Sequence, residues 1–150
     1  MPMYPFERFT DHAKELLTHA QLEANSAGYS YIGTEHLLLA AFSDAQFYAA
    51  KILGALGVQE VAVRPAIAGV LGRKRPPSPR GVIPTSRVKK VIEIAFNLCD
   101  SAGHPRVGTH HILLALATEA QGIAAHVLMD MGVTKGEIAA QMNQLAEPEA

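Results

Sequence analysis

The sequence predicts an all-α fold of two tandem four-helix repeats, eight helices packed with pseudo-two-fold symmetry. Three observations predict it. Shifted by 75 residues the chain matches itself without a gap, so that residues 10–58 lie over 85–133. Apolar residues in the longer segments recur at three- and four-residue spacing, the periodicity of one helix face. No segment alternates with period two between turn residues, as a half-buried strand would.

In that register Gly28, Gly33-Thr34, His36 and Leu38-Leu39-Ala40 lie over Gly103, Gly108-Thr109, His111 and Leu113-Leu114-Ala115. Further on, Ala45-Gln46, Ala49-Ala50, Leu53 and Gly57-Val58 lie over Ala120-Gln121, Ala124-Ala125, Leu128 and Gly132-Val133. The identities fall at helix, cap and turn positions, which marks a duplicated structural unit. One domain over residues 1–150 follows, with repeat one at about 9–71, a loop at 72–84 and repeat two at about 85–146.

The first helix is expected from about Asp11 to Ala27, with Thr10 as N-cap and Gly28 as its stop. Its apolar face is Ala13, Leu16, Leu17, Ala20 and Ala24. The second starts with Thr34 as N-cap and runs through Leu37 to Phe42; being apolar nearly all round, it belongs in the interior. The third spans about Gln46–Leu56 and stops at Gly57, and the fourth spans about Gln59–Leu71. Repeat two follows the same plan, from about Ser86 to Ala102, Thr109 to Thr118, Gln121 to Met131 and Lys135 to Leu145. Thr134 and Glu137 make a capping-box pair at the last of these. Between the repeats, Gly72 to Gly81 holds three prolines and four basic residues, a composition that reads as exposed loop. Glu147 to Ala150 reads as a frayed tail.

Composition narrows function. Apolar residues make up 49% of the chain and charged residues 18%, which is globular. The formal net charge of −1 exerts no general pull on nucleic acid or anionic lipid. The single cysteine, Cys99, excludes an internal disulfide. Neither an apolar signal core nor a membrane-length apolar run occurs, and a cytoplasmic protein is expected.

The opening Phe6-Glu7-Arg8-Phe9-Thr10-Asp11, the stretch Ile32-Gly33-Thr34-Glu35-His36-Leu37-Leu38-Leu39 and its second copy at Gly108-Thr109-His110-His111 closely resemble the N-terminal domain of the Clp ATPase unfoldases, the ClpC branch above all. The resemblance covers about Phe6 to Leu145. It implies a double four-helix repeat that receives substrates and adaptors. No Gly-x-x-x-x-Gly-Lys-Ser/Thr motif occurs, so the chain reads as a Clp N-domain without the AAA+ modules, free-standing or a fragment, with no ATPase activity and no cofactor. The implied partners are Clp unfoldase and protease components, adaptor or substrate proteins, and cyclic peptides, with neither nucleic acid nor membrane.

The resemblance also assigns residues. Glu35 matches a glutamate that in ClpC-type domains helps to hold phosphorylated arginine. The chemistry fits: a carboxylate takes a guanidinium through paired charge-assisted hydrogen bonds, and a helix N-terminus offers N–H groups to a phosphate. Simple compensation of the helix dipole is the favoured reading of Glu35, because the family's second glutamate is missing here. Its counterpart in repeat two is His110. The face made by the first helices of the two repeats matches a surface that binds cyclic peptides and adaptors, through Phe6, Lys14, Gln21, Lys89 and Glu93. On that face Lys89 and Glu93 are spaced as an i,i+4 pair. The aromatic that the family carries just before the second repeat is replaced by Ile83-Pro84-Thr85.

His36 and His111 share one repeat position, which suggests a packing or capping role. His110 and His111, adjacent on a helix, should face apart, and no metal motif occurs. Cys99 falls on the apolar face of its helix and reads as a buried structural thiol. The alternative functions are a small His-dependent hydrolase, for which no nucleophile–base–orienter set is present, and a small DNA-binding regulator, which the neutral charge disfavours.

Overall fold

The computed structural model describes residues 6–29, 31–73, 83–145 and 147–150. A 3-10 turn, Phe6–Arg8, leads into α1 (Asp11–Ser26), β1 (Tyr31–Ile32), α2 (Thr34–Ala40), α3 (Tyr48–Ala55) and α4 (Glu60–Arg73). Repeat two supplies β2 (Ile83–Pro84), α5 (Ser86–Ser101), α6 (Thr109–Glu119), α7 (Ile123–Asp130) and α8 (Lys135–Met142). Eight α-helices thus stand among the described residues, and the fold is all-α. The loop expected at 72–84 begins inside α4, which continues through Arg73; residues 74–82 lie outside the described residues.

Equivalent chemistry starts and stops the first helix of each repeat. The Thr10 hydroxyl accepts from Ala13 N–H at 3.0 Å, and that of Thr85 from Val88 N–H at 3.2 Å. Gly28 and Gly103 end these helices at φ +81° and +73°, left-handed values that a side chain would strain. Inside α4, Pro65 has no N–H to give; the carbonyl it bypasses is that of Val61, a residue 78% exposed and so open to water.

The second helix departs from the expected cap. Gly33, not Thr34, is the N-cap of α2, and the His36 ring fills the capping role by accepting Gly33 N–H at 2.9 Å. The Thr34 hydroxyl is thereby released to serve the other repeat, where it accepts Ala124 N–H of α7 at 3.1 Å. Its counterpart Thr109 accepts Ala49 N–H of α3 at 3.0 Å. The same exchange governs packing. α3 packs on α6 and α8, whereas α7 packs on α2 and α4 as well as on α6 of its own repeat. Neither four-helix unit is therefore self-contained; each third helix completes the other repeat.

Short parallel pairings obey the same pseudo-symmetry. Ile32 pairs with Pro84, and Phe9 with Val107 in an isolated bridge. Their flanking bonds, Thr85 N–H to Ile32 carbonyl at 3.1 Å and Thr10 N–H to Val107 carbonyl at 2.9 Å, correspond under the 75-residue shift. The core draws on both repeats, with Leu16, Leu37, Leu38, Phe47 and Leu53 meeting Ile112, Leu113, Leu116, Leu128 and Ile138. Every residue of α2 is buried, as its apolar composition predicts.

The tail is not frayed at its end. The Glu149 side chain is wholly buried, because its carboxylate lies against the starts of α3 and α6, where helix N–H groups lack intrahelical acceptors.

Candidate functional site

At the start of α2, Glu35 is 5% exposed and its carboxylate fills the space that a side chain at Gly33 would need. Burial pushes its carboxyl up from the usual range, and a bond from its own backbone N–H pulls the other way. Among the described residues no cation pairs with it. The neighbouring His36 is driven down to about 4 by burial, opposed by the charge of Glu23, so its ring is neutral and able to accept Gly33 N–H. The capping role expected for His36 and His111 is what the structure shows, since His111 Nδ1 accepts Gly108 N–H at 2.9 Å.

At the start of α6 the expected divergence of His110 and His111 is corrected. Their ring centroids lie 4.0 Å apart at 35°. Both rings lean back over Gly108, where no side chain intervenes: a methyl there would fall 2.5 Å from His110 Cε1. Burial, then His111 and His104, hold His110 down at about 3; burial and His104 hold His111 at about 4. The ligand atoms of His104, His110 and His111 lie within 4.8 Å of one another, close enough to suggest a metal. The tautomer argues otherwise. His111 accepts on Nδ1, so its single proton sits on Nε2 and is directed at His104 Nδ1, 2.9 Å away.

Two clefts flank these helix starts. One, of about 470 Å³, is bordered by Arg87, Lys90, Glu119 and Gln121 beside α7. The other, of about 590 Å³, is bordered by Tyr48, His104, His110 and Glu149. In the first, Glu119 accepts Gly122 N–H at 2.7 Å and pairs with Arg87 at 3.0 Å, capping α7. Neither Glu119 nor Glu149 stands out in the sequence. Glu149 falls there in the expected frayed tail, and its donors lie 40 and 101 positions away.

The remaining expected residues lie on the surface. Phe6 is 52% exposed with Lys14 Nζ 5.1 Å from its ring centre, and Gln21 is exposed on α1. Lys89 and Glu93 are exposed on α5, but Glu93 pairs with Lys90 at 3.2 Å rather than with Lys89. Direct links between the α1 entry and α5 include Arg8 with Asp100 at 2.7 Å and Phe9 edge-on to Phe96 at 5.3 Å. Cys99 is buried and directs its thiol at the His104 carbonyl, 3.2 Å away, as a structural cysteine would.

Such a duplicated fold with exchanged third helices invites comparison with known proteins. The sequence profile of the Clp repeat N-terminal domain matches residues 8–129 and again 83–149. The chain belongs to the Clp repeat N-terminal domain family. ClpC/MecB of Bacillus subtilis, a negative regulator of genetic competence, is 40% identical over 140 residues, covering 93% of this chain and 17% of that protein. Chaperone ClpB of Oceanobacillus iheyensis is 37% identical, with the same 93% and 17% coverage. This Clp N-domain thus spans about a sixth of the length of those relatives. The N-terminal domain of ClpD from Arabidopsis thaliana shares its fold at a TM-score of 0.72 and 24% identity, covering 96% of this chain and 98% of that one. The ClpV N-domain, solved in complex with a VipB peptide, shares it at 0.71 and 16% identity, covering 99% and 100%. Clp N-domains are non-catalytic and separate from the AAA+ ATPase modules. This chain is accordingly a protein-binding module of the Clp system and not an enzyme.

Proposed function

We propose that this Clp N-domain receives peptide segments of substrates or adaptors at the start of α2, where Glu35 takes a guanidinium. The observation that carries the reading is a buried carboxylate with no cation beside it among the described residues. Burying a charge without a partner costs stability, and an incoming arginine supplies the partner. Next to Glu35, the N–H of Thr34 at the first turn of α2 has no acceptor among the described residues, which suits a phosphorylated arginine. The peptide in the ClpV complex supports a peptide-receiving role for this fold. The exposed face of Phe6, Lys14, Gln21, Lys89 and Glu93 is the second docking surface, for adaptors or cyclic peptides.

Calorimetric titration with a phosphoarginine peptide tests the Glu35 reading. Glu35→Ala should weaken binding more than tenfold, because losing one charged hydrogen-bond partner costs about 1.5–3 kcal/mol. His110→Ala should leave binding largely intact. Equal losses in both variants would refute the assignment. No binding by the unsubstituted protein would leave Glu35 as a helix-end charge and the Phe6–Lys14 face as the receiving surface.

A further inference from the structure

Three helices begin at one place on the repeat-two side, and all three aim early N–H groups at the end of the chain. His12 N–H of α1 donates to the Ala150 carbonyl at 3.1 Å. Tyr48 N–H of α3 donates to Glu149 Oε2 at 2.7 Å, and Thr109 N–H of α6 to Glu149 Oε1 at 2.5 Å. The Thr109 hydroxyl donates to Oε2 at 2.5 Å and the Thr10 hydroxyl to Oε1 at 3.4 Å. Each of these hydroxyls already accepts a helix N–H, from Ala49 and Ala13, so its one proton is left for the carboxylate. The Tyr48 hydroxyl donates to the Glu147 carbonyl.

Donors thus surround Glu149, and the space is shaped for an oxyanion. A methyl at Gly108 would fall 2.8 Å from Glu149 Oε1. His110, 8% exposed, has a buried Nδ1 without a hydrogen-bond partner, 4.0 Å from that oxygen. His12 Nδ1, likewise buried and unpartnered, lies 3.5 Å from Oε2. The occupant enters from the surface: Glu147, Pro148 and Ala150 are exposed, and of these four residues Glu149 is the one that is buried.

Pseudo-symmetry separates cradle from occupant. The starts of α1, α3 and α6 correspond to those of α5, α7 and α2 under the 75-residue shift, with Thr10 and Thr109 matched by Thr85 and Thr34. On that side Glu119, from the end of α6, covers the start of α7, and residues 74–75, which match Glu149 and Ala150 under the shift, lie outside the described residues. The duplication built the cradle twice, and Glu149 fills the copy made by α1, α3 and α6.

We propose that residues 147–150 are a tethered ligand. They place the Glu149 carboxylate in an oxyanion pocket that otherwise accepts an acidic or phosphorylated group of an incoming peptide, so the tail competes with that peptide. The proposal stands on different residues from Glu35 and does not depend on its role.

Amide NMR of the full chain tests it, comparing the unsubstituted protein with Glu149→Ala and Glu149→Gln. The probes are inorganic phosphate and the free tetrapeptide Glu-Pro-Glu-Ala. The Tyr48 and Thr109 amide resonances should lie far downfield in the unsubstituted protein and move upfield in Glu149→Ala, while those of Thr34 and Ile123 stay. Either probe should return them downfield in Glu149→Ala and act about tenfold more weakly on the unsubstituted protein, the factor for a pocket self-filled nine-tenths of the time. A response to the tetrapeptide alone identifies a carboxylate pocket, and a response to phosphate identifies one that also takes phosphoryl groups. Should Glu149→Ala unfold, the near-isosteric Glu149→Gln carries the same comparison. Unmoved amides in the variants, equal probe affinity with and without Glu149, or no response to either probe in the variants would each overturn the proposal.

Discussion

Mild acid should destabilise this fold through its buried histidines, and His36 isolates the effect. An unfolded chain protonates His36 near the ordinary 6.5, whereas the folded chain resists until about 4. Between those values the unfolded state binds more protons, so stability falls as pH falls. At pH 5 the difference between the two pKa values costs about 2 kcal/mol more than at pH 7 for this one ring. His110 and His111, held at about 3 and 4, act in the same direction but are coupled to each other and to His104. Glu35, whose carboxyl is raised by burial, acts oppositely, since its protonation favours the folded state. Substituting only His36 leaves those terms common to both proteins. His36→Gln retains an acceptor for Gly33 N–H but does not titrate. Urea unfolding at pH 7 and pH 5 should show the unsubstituted protein losing about 2 kcal/mol more than the variant. An equal loss in both would show that His36 is not held neutral by burial.

The cross-repeat cap gives a second test. Thr34→Val should cost about 1–3 kcal/mol in chemical unfolding by stranding the buried Ala124 N–H, whereas Thr18→Val, whose exposed hydroxyl meets only the Lys14 carbonyl, should cost little. Equal costs would deny the exchange of caps between repeats. The Cys99 thiol, buried and raised above its ordinary range by that burial, should react with a disulfide reagent only as fast as the fold opens. Rapid labelling under native conditions, unaffected by low urea, would contradict its placement.

Periodicity, caps and the duplication were legible in the chain because they depend on residues close in sequence. Thr10 caps α1 three residues ahead of its donor, Gly28 ends the helix in a conformation glycine alone adopts readily, and the run from Leu37 to Ala41 has no polar side to show to water. The shift of 75 residues conveyed the symmetry, and with it the equivalence of His36 and His111. Tertiary structure alone decided which repeat each third helix completes, since the Thr109 and Thr34 caps that tie α3 and α7 to the other repeat join residues 60 and 90 positions apart. It alone decided that Glu35 is buried without a cation among the described residues, because an acidic residue in a first helical turn is usually solvated. Most of all it decided the fate of Glu149. Its charge near the chain end looks solvated in one dimension, but the donors that bury it come from α3 and α6, elements brought together only by the fold. Hydrogen-bond chemistry is written in residue types; which donors converge is set by packing.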